Sequence, residues 1–193
     1  AKDLRNRRDA LILEGVRYGF EGFNLKLSQL FRAFLAYSFK KILPGYELYM
    51  LGNLSSGELI LDDEAELFAF RPQGERGGIE KFLAFLEDIF EFGLDLEVQF
   101  PIGYPDGLTR EEFQVYELEV MNDLERFKLG NASVLVGDEE GLKLLRDAAH
   151  ANPLTPDLLQ DLVAIKRMIE SEFTLPKHWH RNLVSGYGGL ADL

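Results

Sequence analysis

The apolar positions of this chain change period several times, and each change marks an element. From Asp3 to Leu43 the pattern is helical: Leu27, Leu30, Phe31, Phe34, Leu35, Phe39 and Ile42 recur at spacings of three and four and form one apolar stripe. Gly15, Gly19 and Gly22 interrupt the earlier part, which predicts a break or two packed helices. Lys40 and Lys41 fall near the C-terminal end, where the helix dipole favours cations, and Pro44-Gly45 stops the helix. Tyr46 to Leu51 reads as a strand and Gly52 to Gly57 as a turn able to start a short helix. Ala65 to Phe70 reads as a second strand, ended by an exposed RPQGERGG loop. Ile79 to Phe92 returns to helical spacing through Phe82, Leu83, Leu86, Ile89 and Phe90, with Gly93 as its cap.

Leu94 to Phe100 alternates. Leu94, Leu96, Val98 and Phe100 point one way and Asp95, Glu97 and Gln99 the other, the signature of a half-buried strand. Thr109 with Glu112 forms a capping box for a helix reaching about Lys128, and Ser133 to Val136 makes a short strand. Asp138 caps a helix that runs through His150. Thr155 and Pro156 then start another, with Leu158, Leu159, Leu162, Val163, Ile169 and Phe173 on one face. This order predicts a fold of α/β or α+β class, a small sheet flanked by helices and followed by a helical module. Everything beyond Gly137 reads as helix, so the expected division is one domain over residues 1–137 and the start of a helical domain over 138–193. The ending GGLADL reads as a cut through a longer protein.

Composition narrows the function classes. With 21 Lys+Arg against 33 Asp+Glu the formal charge is −12, the wrong sign for a general nucleic-acid surface, which must set basic groups against phosphate. There are no cysteines, which excludes disulfides, thiolate catalysis and Cys-ligated zinc. No run approaches the roughly 18 apolar residues of a membrane span. The basic N-terminus lacks the uninterrupted apolar core of a signal segment, because Glu14, Arg17 and Glu21 break it. These features point to the cytoplasm and away from membranes.

The candidate chemistry lies around the second strand. Asp62, Glu64 and Glu66 are two residues apart, so a strand puts their carboxylates on one face, directly after a turn of small residues, GNLSSG. Asp95 and Glu97 give the next strand a second acidic face. Mg²⁺ takes one or two carboxylates plus phosphate oxygens, and phosphoryl transfer by two metals needs acids converging from neighbouring strands. His178-Trp179-His180 has no nearby third ligand, and Ser55 and Ser56 have no His and Asp pattern to form a hydrolase triad.

These residues carry a resemblance. The run Gly52-Asn53-Leu54-Ser55-Ser56-Gly57-Glu58-Leu59, followed by Glu64-Ala65-Glu66-Leu67, resembles the G-K-L-G-G-R-E-L and D-I-D-L motifs of the glutamine synthetase adenylyltransferases, members of the polymerase-β-type nucleotidyltransferase superfamily. LDLEVQFPIG, LERFKLGNASVLVGD, PLTPDLLQDLVAIKRMIESE and NLVSGYGGLADL are similar to later family blocks, in the family's order, and cover most of residues 46–193. The resemblance implies a small mixed nucleotidyltransferase-type sheet. It also implies Mg²⁺ or Mn²⁺ held by Glu64, Glu66 and Asp95, and ATP approached through Gly52, Ser55 and Ser56. The implied activity is transfer of AMP to a protein hydroxyl such as a tyrosine.

The departures are chemical. Both metal aspartates are glutamates, one methylene longer; moving the register by two gives Asp62-Asp63-Glu64 instead. Family arginines and lysines are replaced by Glu97, Gln99, Asn131, Ser133, Val184 and Ala191, which removes positive charge from around a triphosphate. Two readings follow: a metal-dependent adenylyltransferase, or a catalytically inactive regulatory or interaction domain that keeps the fold and contacts neighbouring domains. The site assignment predicts that Asp62, Glu64, Glu66 and Asp95 converge around one cleft with Ser55 and Ser56 at its rim.

Overall fold

A computed structural model describes residues 2–18, 22–59, 64–90, 97–103, 106–151, 160 and 163–164. Two compact units divide the chain, Ala1–Ala151 and Asn152–Leu193. In the second, Gln160, Val163 and Ala164 are helical and exposed. The expected helix start at Thr155-Pro156, most of the apolar face after it, and His178-Trp179-His180 lie outside the described residues.

The first unit opens with two helices, α1 (Lys2–Tyr18) and α2 (Phe23–Ile42). They meet where the glycines predicted a break: Gly22 caps α2 with φ 67°, a left-handed conformation that glycine adopts without a Cβ clash. On α2, Leu27, Phe31, Leu35 and Phe39 are buried. Leu30, Phe34 and Ile42 pack against the same core.

β1 (Glu47–Met50) leads through the one-turn helix α3 (Gly52–Ser56) into β2 (Glu64–Phe70), which pairs antiparallel to it. The helix α4 (Gly78–Phe90) then crosses over to β3 (Glu97–Gln99), which runs parallel to β2, as a strand reached by a helical crossover does. β4 (Ser133–Val136) closes the other side, antiparallel to β1, giving the order β3-β2-β1-β4. The result is a mixed sheet flanked by helices, as the order of elements predicted. β2, which carries the acids, is an interior strand.

Both faces of the sheet are covered, because the centres of β1 and β2 are apolar at odd and even positions alike. Leu48, Met50, Ala65, Leu67 and Ala69 join α2 and α4 in one core. Tyr49, Leu51, Phe68 and Phe70 join a second core with Phe113, Tyr116, Leu129, Leu142 and Leu145. The second layer is built by α5 (Arg110–Glu119), α6 (Asp123–Leu129) and α7 (Glu139–His150). Thr109 and Glu112 form the expected capping box. The helix expected to continue to Lys128 is instead two helices. Asn122 accepts from the Glu125 N–H while the Glu125 carboxylate accepts from the Asn122 N–H, a second capping box that restarts the chain as α6.

A buried arginine locks α6 in place: Arg126 donates from Nη1 to the Ala148 carbonyl at 2.9 Å and to Glu117 Oε1 at 3.2 Å, tying α5, α6 and α7 together. A second network anchors α7 to β1. Arg110 Nη2 lies 2.8 Å from Glu47 Oε1 and 2.6 Å from Asp138 Oδ1, and the Tyr49 hydroxyl donates to Glu47 Oε2 at 2.5 Å. Burial, then the Glu47 carboxylate, hold the Tyr49 hydroxyl protonated far above the usual tyrosine range.

Asp138 caps α7, accepting from the Gly141 N–H at 2.8 Å. That bond, reinforced by Arg110, holds its carboxyl below the ordinary aspartate range. A carboxyl depressed in the folded state contributes stability above the unfolded pKa of about 3.9 and loses it as pH falls through the folded value. Asp138→Asn keeps an acceptor for the cap and removes the charge. We therefore expect the variant's melting temperature to lie below wild type at neutral pH and the gap to close below about pH 4. The effect is small, since the side chain is 57% exposed. A gap that stays constant across a pH series of thermal melts would show that the charge contributes nothing.

Candidate functional site

The acids and the small-residue turn meet at the end of β1. Leu51 leaves the strand in an extended conformation, and its N–H donates to the Glu66 carbonyl at 2.9 Å, so α3 begins directly beside β2. Gly52 has φ 50°, and a Cβ there would stand 2.8 Å from Glu66 Oε2. The positive φ favours glycine here, and the missing Cβ leaves the carboxylate room to stand against the turn. From below, Arg32 of α2 donates from Nε to the Leu54 carbonyl at 2.9 Å and from Nη2 to the Ser55 carbonyl at 2.8 Å. The buried Leu54 completes the anchor. The turn is thus fixed to the helical layer, with its polar side chains left toward β4 and solvent.

Those side chains diverge. Ser55 Oγ donates to the Asn131 carbonyl at 2.5 Å and lies 2.7 Å from Ser133 Oγ, which joins the turn to the start of β4. Ser56 turns away, donating to the Asn53 carbonyl at 3.2 Å and to Glu58 Oε2 at 2.9 Å. Gly52 therefore stands against Glu66 and Ser55 against Ser133, while Ser56 meets neither; the register sets Ser133 on the face of Met50 and Leu67, opposite to that of Glu66.

On β2, Glu64 and Glu66 share a face by strand alternation; Glu64 is exposed and Glu66 half-buried. The parallel register sets Glu64 opposite Glu97 and Glu66 opposite Gln99. Asp62, Asp63 and Asp95 lie outside the described residues. Among those described, no group of three or more acids or histidines is placed to hold a metal ion.

No family model matches this chain, and no curated protein matches it. A solved structure described as the crystal structure of the toxin-antitoxin with AMP-PNP is similar over 75% of this chain and 98% of that chain, with a TM-score of 0.40 and 10% identity. The likeness is loose.

The side chain that most changes the chemistry was not singled out by its motif. Lys128, on α6, forms an ion pair with Glu66 through Nζ and Oε1. Its side chain is 29% exposed and that of Glu66 19%. The family pattern directs attention to residues 131 and 133 for the missing cations, whereas the cation arrives from one helical turn earlier. The available signal was the second capping box, which sets the phase of α6. This pair also decides how Glu66 can treat a metal. Two unit charges about 4 Å apart interact by about 4 kcal/mol at an effective dielectric of about 20, and a dication would meet twice that repulsion from an ammonium. A divalent cation therefore does not fit at Glu66 while Lys128 holds it.

A cavity of about 630 Å³ opens at the opposite end of β2, lined by Arg71, Glu80, Asp106, Glu112, Tyr116 and neighbours. Arg71 is fully committed to the protein there: Nη2 reaches both Glu112 oxygens at 2.6 and 2.7 Å, and Nη1 the Glu75 carbonyl at 2.8 Å. Asp106 Oδ1 likewise accepts from the Gly77 N–H at 3.0 Å. These bonds close the loop after β2 onto α5, and we read the cavity as the seam of that contact rather than as the site of chemistry.

Proposed function

We propose that this domain binds a nucleoside triphosphate on a nucleotidyltransferase-type scaffold and acts as a regulatory or interaction module, for a partner protein or neighbouring domains, rather than transferring AMP. The observation that carries this reading is the Glu66–Lys128 ion pair at the foot of the Gly52–Ser56 turn. Glycine at 52 brings the backbone against the acidic strand, and Lys128 supplies a positive charge beside it, where a phosphate would meet the acids. The ordered sequence blocks shared with the adenylyltransferases support the scaffold. The same ion pair, with glutamates in place of both motif aspartates, removes the metal geometry that transfer to a protein hydroxyl would need; catalytic groups tolerate displacements of only about half an ångström.

Thermal unfolding with millimolar ATP tests the binding, because a ligand held only by the folded state stabilises it, by about 2.7 kcal/mol at a hundred times Kd. We expect a raised midpoint with ATP and no covalent incorporation of labelled AMP into this chain or an added acceptor. Incorporation of label would replace the regulatory reading with the transferase one. An unmoved midpoint would remove nucleotide binding altogether.

A further inference from the structure

The disagreement between the residues around Glu66 and a metal centre has a specific form. The position is not stripped of positive charge; a protein cation already stands on the carboxylate. We infer that Lys128 takes the place of a divalent cation at Glu66, so that the site takes its triphosphate without metal; this rests on the nucleotide reading above.

An ammonium has three donors and the strength of a point charge. One donor of Lys128 is on Glu66 Oε1, and the side chain is 29% exposed, which leaves donors for an incoming phosphate oxygen. The lysine thereby links carboxylate to phosphate as a metal does, with one charge in place of two. Its place is fixed by the fold. Arg126, two residues earlier on the same short helix, is buried and bonded to Glu117 and to the Ala148 carbonyl, so α6 cannot rotate Lys128 away without breaking those contacts. The acid is fixed as well, since Glu66 lies in the sheet beside Gly52 and the Leu51 N–H bonds to its carbonyl.

The test compares ATP binding to the wild-type chain in chelator and in magnesium, by calorimetry and by thermal shift. Both Kd values should agree within about two-fold. In Lys128→Ala, binding in chelator should fall by about ten-fold or more, since a charge-assisted contact to phosphate is lost. Mn²⁺ should now bind this variant without nucleotide, as read by electron paramagnetic resonance, and not bind wild type. Wild-type binding that needs magnesium would overturn this inference and leave the nucleotide reading standing. Absence of binding in every condition would overturn both. The wild-type comparison stands even if the variant is poorly folded, and Lys128→Gln offers a longer replacement for the same measurement.

Discussion

Gly141→Ala should destabilise the first unit by about 2 kcal/mol, the reverse of what the same exchange does in an ordinary helix. In a helix interior, alanine is favoured over glycine by about 1 kcal/mol, so propensity alone predicts a gain. Here a Cβ at 141 would stand 1.9 Å from the Tyr49 hydroxyl and 2.6 Å from Glu47 Oε2. The tyrosine cannot move aside cheaply. It is fully buried, packs edge-on against Phe70 with ring centres 5.7 Å apart, and donates to Glu47. Overpacking of this kind costs about 1–3 kcal/mol, and displacing α7 also strains the contacts of Arg110 to Glu47 and Asp138. Urea unfolding should show a lower midpoint with an unchanged slope. Tyr49→Phe in the same chain should recover part of the loss, a coupling that a double-mutant cycle reads directly. A rise in stability for the single variant would show that α7 does not lie against β1 as described.

Phe113→Ala should cost more, about 4 kcal/mol. Phe113 is fully buried, and its ring centre is 5.4 Å from both Phe68 and Phe70 in edge-to-face arrangements. Deleting it removes a large apolar area and two aromatic pairs, and leaves a cavity between α5 and the sheet. Single domains are stable by about 5–15 kcal/mol, so this one change takes a large fraction of the total and lowers the melting temperature by about 10 °C. Phe113→Leu should cost less than half as much. A loss under about 1 kcal/mol for the alanine variant would mean that the second helical layer is not closed on the sheet. The functional consequence is indirect: α6, which brings Lys128 to Glu66, belongs to that layer, so on the proposed nucleotide reading loosening α5 should weaken ATP binding, although Phe113 is not itself a candidate site residue.

The two cases differ in how far the sequence could foresee them. The helix that carries Phe113 follows from the capping box of Thr109 and Glu112. The need for glycine at 141 does not, because its cause is a tyrosine 92 positions earlier in the chain. The same contrast runs through the candidate site. The acids at 64 and 66 were legible as a one-faced pair, since strand alternation is a local property. Gly52 was legible as part of a turn, but its closeness to Glu66 was not. Ser55 and Ser56 looked equivalent in sequence. The turn of α3 separates them, giving one to Ser133 and the other to Glu58.

What the sequence determined by itself was the set of elements and their caps. The α2 stripe, the Thr109 and Asp138 caps, the strands about β1, β2 and β4 and the helix after β2 all follow from periods and terminal residues within a few positions of each other. The one helix drawn through to Lys128 failed because Asn122 and Glu125 can cap a new helix, and the choice between continuing and restarting depends on how each piece packs. Tertiary structure decided the charge at the centre of the site. Glu66 and Lys128 are 62 residues apart, and an ion pair over that separation exists only where α6 is set against the sheet by Arg126 and its partners. Local patterns fix which side chains share a face. Only packing fixes which faces meet, and here the face opposite the acids arrived carrying its own cation.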